Sequence, residues 1–349
     1  MTSRERFLKA INHEHVDRTP MDPWQLYGVL MMRQDDYAQL MGEFDFDVVP
    51  AEGVTMGKGE RAKGDYCEIG EWVDDWGCVH QVGERGLCGE VKTPLFEDWS
   101  GLDQYKPPFE VLDNADLSGV NKFYASTDKA VKGGGGCNPF ERLQALRGTE
   151  NTFIDLAYGT KEMFQMLEMI HDYNCRFLRM WAETDFDILQ FMDDWGSQTS
   201  LLISPEMWRE IFKPLYKDYC DILKGRNILF HSDGFIEPIF PDLIELGVTA
   251  VNAQLFCMDM EKLGQLYKGK IVFYGEICRQ NILPFGTTED CREAVRRVRL
   301  AVDDDKGGVV AECCWGLKDP LENIEAVYDE WSRPYNTIYE SATEKTDHE

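Results

Sequence analysis

The sequence predicts an α/β fold, a (β/α)8 TIM barrel with an N-terminal helical extension and a hairpin insertion. Three observations carry this. Eight short apolar or mixed runs suited to strands recur along the chain, most of them followed by an amphipathic stretch at helical spacing. The length of 349 residues suits one such barrel with additions. The segment from about 66 to 108 breaks the alternation and, rich in Trp, Gly and Cys, reads as a hairpin insertion.

In chain order, Thr2 or Ser3 can cap a first helix that sets Phe7, Leu8 and Ile11 on one face. The eight candidate strands are Arg18–Trp24, Phe44–Glu52, Lys129–Gly135, Phe186–Trp195, Asn227–Asp233, Thr249–Gln254, Lys270–Glu276 and Gly307–Cys313. Among the intervening helices, Met207–Leu223 carries Trp208, Ile211, Phe212, Leu215 and Tyr216 at helical spacing, and Pro214 should kink or split it. Thr288–Val302 sets Cys291, Val295, Val298 and Val302 on one face. The four glycines Gly133–Gly136 lack a following Lys-Ser/Thr, so they are not a phosphate loop. They read as a strand-to-loop exit that glycine's free backbone permits. Residues 1–340 are expected to form one barrel domain, with 341–349 a polar tail.

Charge and cysteine usage exclude several classes. With 36 Lys+Arg against 63 Asp+Glu the net charge is −27, which suits neither a nucleic-acid backbone nor an anionic membrane surface. The amino end has no apolar signal-peptide region, and no run approaches the roughly 18 apolar residues of a membrane helix. A cytoplasmic protein is therefore expected. The 11 cysteines are odd in number and irregularly spaced, which argues for reduced thiols rather than a disulfide framework.

In a barrel, reactive groups sit where strands end and the βα loops begin. That rule selects Asp193-Asp194-Trp195, His231-Ser-Asp233, Asn252-Ala-Gln254, Glu276-Ile-Cys278 and Glu312-Cys313-Cys314. A histidine, several carboxylates and several thiols on one rim make a metal-ligand inventory. His231 and Asp233 point to one side of an extended chain, since strand side chains repeat every two residues. A zinc site could be assembled from His231 and Cys313 with Cys314, Glu276, Cys278 or Asp233. Cys313 and Cys314 alternate faces, so one should reach the rim and the other pack. Each group also has a blander reading: a hydrogen-bonded structural histidine, an Asp-Gly turn, buried inert thiols. Asp193 and Asp194 can serve as an acid/base pair or position substrate, as can Asn252 and Gln254, or Asp193 can be a helix cap. Trp24, Tyr27 and Trp195 can floor an aromatic substrate pocket, or pack as a lid.

Several segments together resemble the uroporphyrinogen decarboxylase superfamily over nearly the whole chain. They are Ser3-Arg-Glu-Arg-Phe-Leu-Lys-Ala-Ile-Asn, Asp17-Arg-Thr-Pro20, Asp75-Trp-Gly77, Phe140-Glu141 with Leu146-Arg-Gly148, and Asp193-Asp-Trp-Gly196. His231-Ser-Asp-Gly234 with Leu243-Ile-Glu-Leu-Gly247, Leu283-Pro-Phe-Gly-Thr287 and Pro320-Leu-Glu-Asn-Ile324 complete the set. The resemblance implies the (β/α)8 barrel. It also implies one of two activities. The decarboxylases of the superfamily need no cofactor and grip a tetrapyrrole's carboxylates with arginines, in a segment similar to Arg-Gln-Ala-Gly-Arg-Tyr. Here that place reads Trp24-Gln-Leu-Tyr-Gly-Val-Leu-Met-Met-Arg-Gln-Asp-Asp, and only Arg33-Gln34 echoes it. The corrinoid-linked methyltransferases of the superfamily bind zinc through His-x-Cys and a later Cys. These map onto His231, Asp233 and Cys313 or Cys314, with Asp233 replacing a thiol by a harder oxygen ligand. That departure favours a zinc-dependent O-demethylase type, moving a methyl group from a methoxyaromatic donor to the cob(I)alamin of a partner corrinoid protein. A cofactor-free decarboxylase is the alternative, and a homodimer is a further expectation from the resemblance.

Overall fold

The computed structural model describes residues 1–335 and 337, so the tail expected at 341–349 lies outside the described residues. The strands are β1 (Trp24–Gln25), β2 (Val48–Pro50), β3 (Gly70–Val73), β4 (Val79–Val82), β5 (Glu90–Val91), β6 (Ala130–Gly136), β7 (Ile188–Met192), β8 (Ile228–Ser232), β9 (Ala250–Ala253), β10 (Val272–Gly275), β11 (Val309–Ala311) and β12 (Cys314–Trp315). Seven form one parallel sheet in the order β11-β10-β9-β8-β7-β6-β2. Helices separate most of these strands in the chain, so the fold is that of a TIM-type barrel.

The barrel closes through residues 20–22. The Ala311 amide donates to the Pro20 carbonyl (2.8 Å) and the Asp22 amide to the Ala311 carbonyl (3.0 Å). On the other side the Asp47 amide donates to the Met21 carbonyl (2.8 Å). The expected first strand, Arg18–Trp24, is thus cut to a single bridge at Met21 followed by β1, which pairs with β12. The reason is local. Pro20 and Pro23 have no N–H for a ladder. The Asp47 carboxylate replaces part of it, accepting from the Met21 amide at 2.8 Å while held by Arg6 and Arg18 at 2.6 Å each.

Side-chain alternation divides the sheet into two faces. The inner face buries Val48, Ala130, Ile188, Leu229, Ala250, Val272, Tyr274 and Val310, with Phe7 and Ile11 of the Ser3–Ile11 helix packed into the same cluster. That helix starts at Thr2, whose hydroxyl accepts from the Glu5 amide (3.2 Å) while the Glu5 carboxylate accepts from the Thr2 amide (2.9 Å). The outer face, including Leu189, Phe191, Phe230, Val251, Phe273 and Ala311, packs beneath the helices.

The expected helix after β7 is divided into Pro205–Met207, a wide π turn at Trp208–Phe212, and Lys213–Ile222, with Pro214 in the first turn of the last piece. The helix Thr288–Val302 has the expected bounds and buries Cys291, Val295, Val298 and Val302. β3, β4 and β5 form an antiparallel sheet of their own within the interrupting segment. The glycine run is not a loop exit but lies in β6, where the register shifts between Gly134 and Gly136. A Cβ on Gly133 would meet the Trp181 ring at 2.7 Å, which is why that position is bare. All eleven cysteines are free. No helix among the described residues is long and apolar enough to cross a membrane.

Candidate metal centre

The two-residue period that places Leu229 on the inner face also places His231 there, at the carboxyl end of β8. Asp233 follows on the same side, and Asp194 stands just beyond β7, the neighbouring strand. His231 Nε2 lies 3.7 Å from Asp194 Oδ1 and 3.7 Å from Asp233 Oδ1. One ligand atom from each of the three residues lies within 4.8 Å of the other two. The backbone braces the pair, because the Asp233 amide donates to Asp194 Oδ1 at 2.8 Å.

The electrostatics of this triad call for a cation. Asp233 Oδ1 is buried and has no hydrogen-bond partner among the described residues. Burial, and then the charge of Asp233, pushes the Asp194 carboxyl above its ordinary range. Tetrahedral N/O coordination of zinc at 2.0–2.1 Å gives ligand edges of about 3.4 Å, so the two His231–carboxylate separations of 3.7 Å need to shrink by a few tenths, and the two carboxylates stand within 4.8 Å of each other. The triad therefore fits a divalent metal, with two oxygen donors and one nitrogen donor. Arg279 offsets part of the charge: it forms an ion pair with Asp233 Oδ2 and lies 3.9 Å from Glu276 Oε1.

The structure brings other expected groups near this centre. Glu276 is 3% exposed, and burial together with the charges of Asp233 and Asp194 holds its carboxyl up at about 8 although Arg279 opposes this. Cys314 accepts an N–H from Arg279 at 3.6 Å, and burial raises its thiol well above the ordinary value. Asn252 Oδ1 meets His231 Nδ1 at 2.5 Å. Gln254 accepts from the Gly234 amide at 3.1 Å, holding the turn after Asp233. Trp24 stacks on the His231 ring with centroids 5.1 Å apart, and Lys132 Nζ lies 5.0 Å over the indole. Tyr27 is 47% exposed and meets Tyr66 of the insertion at 5.1 Å.

Three expected residues stand apart from the mouth. Asp193 is the helix cap: its two oxygens accept from the amides of Phe140 (3.0 Å) and Glu141 (2.9 Å), and Tyr216 donates to it at 2.6 Å. It is fully buried and has no face toward a substrate. Trp195 is likewise fully buried, stacked on Phe140 at 4.3 Å, so it floors the helix layer and not a pocket. Cys313 lies on the outer face, in the cluster that includes Tyr328, so of the adjacent thiols it is the one that packs. Asp193 and Cys313 thus take the capping and packing alternatives that the sequence leaves open, while Trp195 does not line the substrate pocket expected of it. One alternation rule explains Cys313. Asp193 is one residue beyond Met192 and falls on the outer side, whereas Asp194 turns inward.

The sequence places Glu312 at a strand end without giving it a role, gives Arg279 none, and reads Asp194 as an acid/base or positioning group, whereas the structure sets Asp194 beside His231 and Asp233. Glu312 is fully buried, and its Oε2 accepts from Asn252 Nδ2. The available signal was again the period of two, which sets Glu312 and Cys314 together and Cys313 opposite. Arg279 gave no periodic signal, because it lies in the loop after β10.

Two cavities flank Arg279. One of about 220 Å³ is lined by Gln198, Gln254, Phe256, Cys257, Glu276 and Cys278. The other, of about 360 Å³, is lined by Leu26, Leu87, Pro284, Phe285, Cys314 and Leu317, and Arg279 and Gln280 line both.

The family model described as uroporphyrinogen decarboxylase (URO-D) matches residues 79–333. No curated protein matches the chain in sequence. Among solved structures, a methyltransferase from Methanosarcina mazei has a TM-score of 0.69 at 15% identity, covering 95% of this chain and 98% of its own, a likeness of fold. A glycosylated endo-β-1,4-xylanase from Gloeophyllum trabeum covers 93% of this chain and 99% of its own at 9% identity and a TM-score of 0.46, too distant to bear on fold or activity. With the family model spanning most of its length, the chain belongs to the uroporphyrinogen decarboxylase (URO-D) family.

Proposed function

We propose that the protein is a methyltransferase that moves a methyl group from a small methylated donor, an aryl methyl ether, to the cob(I)alamin of a corrinoid partner protein. The observation that carries this reading is the Asp194–His231–Asp233 triad at the barrel mouth. Zinc held there by these three residues would supply Lewis acidity where negative charge develops on the ether oxygen, since phenolate is a poor leaving group. The likeness of fold to a methyltransferase agrees with it.

The chain's own residues supply the rest. Asp194 and Asp233, braced by one backbone hydrogen bond, hold two oxygen donors on one side of His231. Arg279 balances their charge before metal binds. Glu276, whose carboxyl stays protonated up to about pH 8, can give a proton to the departing oxygen. Gln254 and Gln198 offer amides to a phenol or a carbonyl on the ring, and Phe256 offers an apolar wall. Ligand sites for drug-sized molecules span roughly 300–1,000 Å³, so a cavity of about 220 Å³ suits a single-ring donor.

Cofactor-free decarboxylation of a tetrapyrrole is the competing reading. Arg33, which echoes the decarboxylase arginines, is used elsewhere: it pairs with Asp36 at 2.8 Å, donates to the carbonyls of Leu317 and Asp319, and lies over Trp315. Elemental analysis and zinc titration test the proposal. One zinc per chain, lost in His231→Ala and Asp233→Asn, supports it. A protein that binds no zinc and retains its activity in chelator overturns it.

A further inference from the structure

Behind His231 on the inner face, Asn252 and Glu312 have no part in the reaction as described. Glu312, Asn252 and His231 stand at the ends of β11, β9 and β8 and are 0%, 1% and 8% exposed. They form one chain: Asn252 Nδ2 donates to Glu312 Oε2, and Asn252 Oδ1 meets His231 Nδ1. An amide side chain has a donor end and an acceptor end, and a neutral imidazole has one nitrogen of each kind. Glu312 Oε2 takes the donor end of Asn252. With the Asn252 amide oriented this way its acceptor end faces His231 Nδ1, which then carries the ring proton. Nε2 is left with its lone pair, 3.7 Å from both Asp194 and Asp233. Trp24, stacked on the ring at an interplanar angle of 29°, opposes a ring turn that would exchange the two nitrogens.

We propose that Glu312 is a positioning residue that acts through Asn252 to fix the tautomer of His231, so that Nε2 is the basic nitrogen turned toward Asp194 and Asp233. This rests on the reading of His231 as the working nitrogen of the centre, but the tautomer can be read without any activity. Partners of this kind behind a metal-binding histidine fix ring orientation and typically change metal affinity by 10–100-fold when removed.

The experiment is 15N NMR of histidine-labelled, metal-free protein at a pH where the rings are neutral, with the His231 signals identified by their loss in His231→Gln. Wild type should show the Nδ1-protonated ring. Glu312→Gln should keep it, because a carboxamide oxygen can still accept from Asn252. Glu312→Leu should release the amide, give the Nε2-protonated or a mixed ring, and weaken zinc binding by about 10–100-fold in competition with a chromophoric chelator. An Nε2-protonated ring in wild type overturns the assignment, and so does an unchanged ring in Glu312→Leu. Should that variant not fold, the wild-type spectrum alone still decides. A protein that shows the tautomer dependence and transfers no methyl group keeps this assignment and loses the proposed reaction.

Discussion

At the scale of residues, the centre depends on which side chains share the inner face at the carboxyl ends of β7 and β8. His231→Ala removes the nitrogen donor and Asp233→Asn replaces a carboxylate by an amide. Each should weaken zinc binding by more than about 100-fold, because a lost ligand costs more than a lost supporting partner. Cys313→Ser should leave zinc affinity within about threefold of wild type, since Cys313 is buried in the outer cluster and its substitution acts on stability. Competitive zinc titration of the three variants separates these outcomes. Glu141 gives a pH test. Burial, then the charges of Asp193 and Asp194, pushes its carboxyl up to about 9. The folded state thus holds a proton that the unfolded chain, near the ordinary 4.5, has released. Its contribution to stability is therefore full below about pH 4.5 and is lost as pH rises toward about 9. Glu141→Gln cannot titrate, so its urea midpoint should fall less than that of wild type between about pH 5.5 and 8.5. Equal slopes would contradict this.

Much of the site was legible in the sequence at this scale. His-x-Asp on an extended run requires both side chains on one side, and the structure sets His231 and Asp233 that way. The thiols were harder to read, because composition shows that cysteines crowd the strand ends but not which face each one takes. Only the register distinguishes buried Cys313 from Cys314 beside Arg279. Asp193 illustrates the same limit. Adjacent aspartates look equivalent in sequence, yet one turns outward to cap the helix Pro139–Arg147 and the other turns inward to the centre.

At the scale of elements, helices with strong periodicity were readable, and short strands closed by prolines were not. Thr288–Val302 has its expected bounds because Thr287 and Asp290 cap it and its apolar face repeats without interruption. Arg18–Trp24 failed as a strand because its prolines lack the N–H groups a ladder needs, and buried Asp47 substitutes for them. The glycine run is the other departure. Flexibility was the expected role, whereas β6 uses the glycines for close approach: Gly134 sits at φ +93°, and a Cβ there would meet the Gln190 carbonyl oxygen at 2.7 Å. Gly134→Ala should therefore destabilise the protein by roughly 1–3 kcal/mol, read as a lower urea midpoint with an unchanged slope. A midpoint equal to that of wild type would show that the bulge relaxes freely.

At the scale of the whole molecule, the −27 net charge is not concentrated at the mouth: Asp194 and Asp233 stand there beside Arg279, while burial pushes the carboxyls of Glu276 and Glu312 up toward their neutral forms. Arg279 is engaged by Asp233 and Arg33 by Asp36, so neither is set to grip a polycarboxylate, and the tetrapyrrole should not be turned over by the metal-loaded protein. The barrel itself was legible because its strands repeat with their helices, while the charge balance inside the mouth emerges only once the strands are aligned. The measurement that tests the central claim most directly is methyl transfer to cob(I)alamin from a panel of single-ring methoxyaromatics, followed by methylcobalamin absorbance. The account predicts methylcobalamin formation with at least one donor, dependent on zinc and reduced at least about 100-fold in His231→Ala. Zinc-loaded protein that forms no methylcobalamin with any donor, or forms it undiminished after His231→Ala, would contradict it.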